Sequence, residues 1–144
     1  MVYDIAKQLK AKEIIAVEGV GSMDPTATSN VFYYATQSKA EKKLKSLGLK
    51  PLNEGVILGI TAALLVNAEK QPLSCLFAET HSSLPDSKAA AQIIESLDKY
   101  LRLKVDSKPL LKMADKFEQK IKSMLQQGQV AQQEKEKKEM SYVG

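Results

Sequence analysis

Glu79 and His81 stand two residues apart at the end of an apolar run, with Ser82 and Ser83 directly after them in "AETHSS". A carboxylate, an imidazole and a hydroxyl are the groups of general acid–base chemistry, the imidazole because it changes charge near neutral pH. Spacing alone leaves three readings open: hydrogen bonds that shape a loop, ligand binding, and catalysis. Glu18, Gly19 and Gly21, in "AVEGVGSMDPTATSN", form a second candidate group. If the runs ahead of Glu18 and Glu79 are neighbouring parallel strands, then Glu18, Gly19, Gly21, Glu79 and His81 converge at their carboxyl ends. Open α/β sheets gather ligands there.

Other chemistries do not fit. A phosphate-binding loop needs Gly-x-x-x-x-Gly-Lys-Ser/Thr, and a dinucleotide turn needs Gly-x-Gly-x-x-Gly at the start of a helix. After Gly21 come Ser22, Met23, Asp24 and Pro25; Asp24 repels phosphate and no lysine is close in sequence. Gly19 and Gly21 therefore read as turn residues. No Gly-x-Ser-x-Gly elbow presents a nucleophilic serine. Cys75 and His81 are each alone of their kind, so neither an internal disulfide nor a Cys/His zinc cage can form. Cys75 lies among Leu73, Leu76 and Phe77, where a thiol acts as a small buried hydrophobe. We assign no catalytic residue, no metal and no cofactor. The lysine-rich "SKAEKKLKSLGLK" reads as a solvated helix face and not a nucleic-acid surface, because Arg102 is the sole arginine.

The elements that must position these residues follow from periodicity. At 144 residues, 44% hydrophobic and 26% charged, the chain suits one soluble domain with a modest core. Tyr3, Ile5, Ala6 and Leu9 recur at helical spacing, and the β-branched run "EIIAVEG" then reads as a buried strand. "NVFYYAT" favours β structure, and Ser38 with Glu41 predicts a capping box ahead of Leu44 and Leu47, with Gly48 as the stop. "GVILGITAALLVNA", from Gly55 to Ala68, is shorter than the ~18 residues of a membrane span. It predicts a short extended piece leading into a buried helix. "LSCLFAE" follows as a strand. Asp86 or Ser83 caps a helix whose stripe is Ala90, Ile93, Ile94, Leu97 and Leu101. Alternation of helices and strands predicts an α/β fold, a parallel or mixed sheet flanked by helices. The N-terminus is amphipathic without a long apolar centre, so no leader is expected and the chain is expected to be cytoplasmic.

Residues 1–106 form this α/β domain. Residues 107–127 predict a long amphipathic helix, in which Leu110, Met113, Phe117, Ile121 and Met124 make a stripe suited to its own domain or to a second subunit. Residues 128–144 are polar and charge-balanced and predict a mobile tail. At its end, Tyr142 and Val143 with the carboxylate of Gly144 suit insertion into a partner's pocket.

Taken in order, "VEGVGSMDP", "GVILGITAALL", "CLFAETHSSLPDSKAA" and "IIESLDKYLRLKVD" resemble the proteasome-assembly-chaperone family, its archaeal members above all. The resemblance runs over almost the whole chain and rests on several motifs in sequence. It implies a sandwich related to phosphorylases and hydrolases, here shortened at the N-terminus, where family members usually carry further strands and a glycine-rich segment. It implies a noncatalytic role as a homo-oligomer that binds proteasome core α-subunits. It also implies that a C-terminal hydrophobic-tyrosine-any-residue motif docks between α-subunits; here Tyr142 is third from the end, where the motif puts tyrosine second. The alternative reading is a small-molecule-binding protein or a hydrolase- or phosphorylase-like enzyme using the Glu18, Glu79 and His81 loops.

Overall fold

The computed structural model describes residues 1–21, 30–68, 71–80 and 86–106, and positions 108, 109, 111, 112, 115–117, 119–121, 123 and 124 further on. One compact unit spans Met1–Ser107 and a second begins at Lys108. The described positions from 108 to 124 are helical. In the first unit the elements run α1 (Val2–Gln8), β1 (Ile14–Gly21), β2 (Val31–Ala35), α2 (Ser38–Ser46), β3 (Lys50–Pro51), α3 (Gly59–Val66), β4 (Leu73–Thr80) and α4 (Ser87–Leu101).

The four strands make one mixed sheet in the order β1-β4-β2-β3. β1 and β4 are parallel, with Ile14 beside Leu73 and Gly21 beside Thr80. β2 runs antiparallel to β4, placing Val31 beside Ala78. β4 is buried on both faces from Leu73 to Ala78, and its "LSCLFA" accordingly lacks the alternation of a half-exposed strand. On one face α2 and α4 cover a core of Tyr33, Leu44, Leu76, Ala89, Ile93 and Tyr100. On the other, Leu64 of α3 and Tyr3 of α1 pack on Ala16, Leu73, Cys75 and Phe77. The Tyr3 hydroxyl donates to the Leu64 carbonyl at 2.6 Å, which ties α1 to α3.

Several expectations need correction. Gly19 and Gly21 are not turn residues; both lie inside β1, because β4 runs on to Thr80 and offers ladder partners that far. Neither glycine is among the described positive-φ residues, whereas Gly48, at φ 84°, does end α2 as predicted. Gly19 instead allows close approach: a Cβ there would lie 3.2 Å from Thr80 Cγ2. Ser38 does not cap α2; Gln37 holds the N-cap position without a side-chain bond, and Ser38 is already helical. Asp86 does cap α4, accepting from Lys88 N at 3.1 Å and Ala89 N at 2.9 Å, while Ser83 lies outside the described residues. The buried face of α4 is Ala89, Ile93, Ser96 and Tyr100, turned from the predicted stripe, and Ala90 and Leu101 are exposed. Tyr100 donates to both Glu13 oxygens, at 2.8 and 3.0 Å, and Ser96 satisfies its hydroxyl on Gln92 O. Those bonds make burial of the two polar groups cheap.

The largest departure concerns α3. Only Thr61 and Leu64 of this helix are buried, and Ile60 and Val66 are 73% and 85% exposed. Its residues are apolar all round, so seating one face on the sheet necessarily leaves an apolar face uncovered by described residues. Val56 and Leu58 before it, and Val2 and Ile5 on α1, are exposed as well. No helix of the described residues is long and apolar enough to cross a membrane.

Candidate functional site at the strand ends

β1 and β4 end side by side, and parallel pairing brings their carboxyl ends together. Alternation puts Glu18 and Glu79 on the same sheet face as Cys75 and Phe77, with Glu18 beside Phe77 and Val20 beside Glu79. Glu18, Gly19, Gly21 and Glu79 all line one cavity of about 760 Å³, which the segment carrying Glu54 and Leu58 also lines. Four of the five predicted pocket residues are thus together. His81, the fifth, lies outside the described residues.

The two carboxylates differ in surroundings. Glu79 Oε2 accepts from the Asn30 side chain at 2.9 Å and from Asn30 N at 3.3 Å. Glu79 N donates to Asn30 O at 2.9 Å, so the residue is locked to the start of β2. Glu18 Oε2 is buried and accepts no hydrogen bond among the described residues. A buried oxygen of this kind has given up water without a protein donor in return, and it favours any donor brought to it. Asn30 escaped the sequence reading because only the antiparallel pairing of β2 with β4 puts it beside Glu79. Glu54 escaped it because its segment has no periodicity.

The chemistry open to this cavity is narrow. Burial, and then the Glu18 charge, push the Cys75 thiol up to about 11, so it stays protonated at neutral pH and is a poor nucleophile. Among the described residues that line it none is a lysine or arginine, so none of them neutralises a phosphate. Among the described residues no group of three His, Cys, Asp or Glu side chains could hold a metal ion. The arrangement suits a neutral or cationic group.

A second polar cluster lies on the opposite face. Glu13 accepts from both Tyr100 Oη and Ser74 Oγ, joining α4 and β4 to the start of β1. Burial, then the bond to Glu13, raise the Tyr100 hydroxyl to about 12. Lys43 Nζ stands 4.4 Å over the Tyr100 ring, so one member of the lysine-rich segment contacts the core through its cation. This cluster has the burial and short-range order of a structural tie.

Of the other predicted sites, Phe117 and Met124 are exposed and Ile121 is half-buried, while Leu110 and Met113 lie outside the described residues. Tyr142, Val143 and Gly144 lie outside them too.

Comparison with known proteins places the chain. The Pyrococcus furiosus protein PbaA, in its monoclinic crystal form, is described as an archaeal homolog of proteasome-assembly chaperone. It is 32% identical, with a TM-score of 0.78 over 95% of this chain and 58% of its own. The chain therefore spans little more than half the length of that relative. A Thermoplasma acidophilum protein of unknown function is 25% identical, with a TM-score of 0.63 over 94% of this chain and 56% of its own. Pyrococcus furiosus PbaB, described as an archaeal proteasome activator, is 20% identical with a TM-score of 0.71, covering 85% of this chain and 55% of its own, and shares the fold. Among curated protein sequences none matches. The model of the PAC2 family matches residues 1–125, across both faces of the sheet and beyond α4, and the chain belongs to that family.

Proposed function

We propose that this chain is a noncatalytic cytoplasmic protein of proteasome assembly or activation, which forms homo-oligomers and binds α-subunits of the proteasome core. The observation that supports this reading most is the 32% identity to the PbaA chaperone homolog over 95% of the chain. In this reading the Tyr142, Val143 and Gly144 terminus is the docking element. Several tails on one oligomer raise the effective concentration of each, so weak single contacts suffice.

Sedimentation of purified core particle with the intact chain, and with a form lacking residues 142–144, tests the proposal. Binding by the intact chain and loss in the shortened form is the expected result. Equal binding by both forms removes the tail from the mechanism, and binding by neither removes the proteasome partner.

The cavity holding Glu18, Gly19, Gly21 and Glu79 favours a second reading, a small-molecule-binding protein. Amines and nucleosides that raise the melting temperature in the wild type but not in Glu79→Gln would support it. A flat response across such compounds would count against it.

A further inference from the structure

The lysine-rich run from Ser38 to Lys50 borders α4. Lys43 stands over the Tyr100 ring, and Gly48, at φ 84°, then turns the chain into β3 so that Lys50 comes to lie beside α4. A cavity of about 220 Å³ lies at this turn, lined by Gly48 and Lys50 together with Gln92, Glu95, Ser96 and Lys99 of α4. The four α4 residues recur at three- and four-residue spacing, which puts them on one helix face. Their polar groups are only partly used within the fold. Ser96 Oγ donates to Gln92 O at 2.8 Å, but Gln92 Oε1 is buried and accepts no hydrogen bond among the described residues. A buried amide oxygen that has lost water without gaining a donor favours any N–H brought to it. Lys50 and Lys99 are exposed, and neither is in an ion pair among the described residues. Two ammonium groups against the one carboxylate of Glu95 leave the cavity cationic. Lys39, Lys42, Lys43 and Lys45 carry the same sign of charge along α2, opposed there only by Glu41.

We propose that this cavity is a docking site for an acidic peptide segment, one carboxylate of which meets Lys50 and Lys99 while a neighbouring peptide N–H donates to Gln92 Oε1. The site makes no use of the C-terminal tail. Its ligand must bring an anion and a hydrogen-bond donor together, and an acidic residue within a peptide does so with one charge and its own backbone. A phosphate brings more charge than Glu95 beside it favours and no amide donor. Size points the same way: the cavity is smaller than the roughly 300–1,000 Å³ of pockets that enclose a whole small ligand, so it suits one residue of a longer ligand lying across the surface. The α2 lysines extend the attraction to further carboxylates of such a segment. A nucleic acid fits less well, because no lining residue is aromatic and the Tyr100 ring is buried beneath Lys43, leaving no ring there on which a base could stack.

Fluorescence anisotropy of a dye-labelled peptide of alternating glutamate and glycine, titrated with the full chain, tests this. A glutamine–glycine peptide and a single-stranded oligonucleotide serve as comparisons. The acidic peptide should bind, with an affinity that falls as salt is raised, and the glutamine peptide should not. Lys50→Gln with Lys99→Gln should weaken binding about tenfold, from two lost charge-assisted contacts. Gln92→Leu should weaken it about fivefold with the salt dependence unchanged, since a neutral acceptor is lost. Lys42→Gln with Lys45→Gln removes the same charge from exposed positions of α2 and should cost about threefold or less. Each variant should keep the far-ultraviolet spectrum of the wild type. In nuclear magnetic resonance spectra of the wild type, the Gln92 side-chain amide should shift as the acidic peptide is added. Equal losses from the two lysine pairs would mean attraction to net charge alone and would overturn the site, as would a Gln92 amide that does not move. Absence of binding by the acidic peptide, or tighter binding by the oligonucleotide, overturns the proposal as well.

Discussion

At the residue scale, buried polar groups separate structural work from functional work. Cys75 and Tyr100 are both buried, but Tyr100 is held by Glu13, and Cys75 is surrounded by hydrocarbon with Glu18 near. Raising the Cys75 thiol from its ordinary 9.0 to about 11 leaves about a hundredfold less thiolate than a free thiol has at pH 8. Labelling by an aromatic disulfide reagent should therefore be at least that much slower in the native protein than in urea, and equal rates would show that the thiol is exposed. Tyr100→Phe keeps the ring over which Lys43 sits but removes the donor to Glu13. It should cost about 1–3 kcal/mol by urea unfolding, the penalty of leaving a carboxylate without its partner. A loss below about 0.5 kcal/mol would show that Ser74 and water are enough for Glu13.

At the element scale, what a helix or strand touches decides its register more than its own pattern does. For α4 the spacing of apolar residues located the helix, but the tie from Tyr100 to Glu13 rotated its buried face to Ala89, Ile93, Ser96 and Tyr100. Its N-terminus was legible from the sequence, because an aspartate ahead of an apolar-periodic run satisfies orphan N–H groups locally. Asp86→Ala should cost about 1 kcal/mol, with the loss seen first as fraying of α4 by hydrogen exchange. Leu44→Ala, at the fully buried position of α2, should cost about 2–5 kcal/mol in the same unfolding assay. A smaller loss than the Asp86 variant's would mean that the α2 face of the core is loosely packed. The Gly19-Val20-Gly21 stretch was misread because glycine's local preference yields when a neighbouring strand offers a full ladder.

At the scale of the whole molecule, stability should depend on alkaline pH with a definite sign. Cys75 and Tyr100 have folded values above their ordinary ones, about 11 against 9.0 and about 12 against 10.0. Above pH 9 the unfolded chain gives up protons that the folded chain keeps, so stability is complete below that point and falls as pH rises toward 11 and 12. The urea midpoint should drop across this window, and Cys75→Ala should flatten its lower part. A midpoint that does not move from pH 8 to 11 would contradict both shifts. The amino-acid sequence by itself determined the α/β class, the order of most elements and the family, and it singled out Glu18, Gly19, Gly21 and Glu79, which line one cavity. Each of these follows from local periodicity, from capping chemistry or from motifs in order along the chain. Only the tertiary structure decided that β4 lies between β1 and β2, that Asn30 meets Glu79, and that α3 leaves an apolar face uncovered by described residues. Those depend on which strands pair across long separations, and a one-dimensional pattern of apolar residues records that a face must be buried without recording against what.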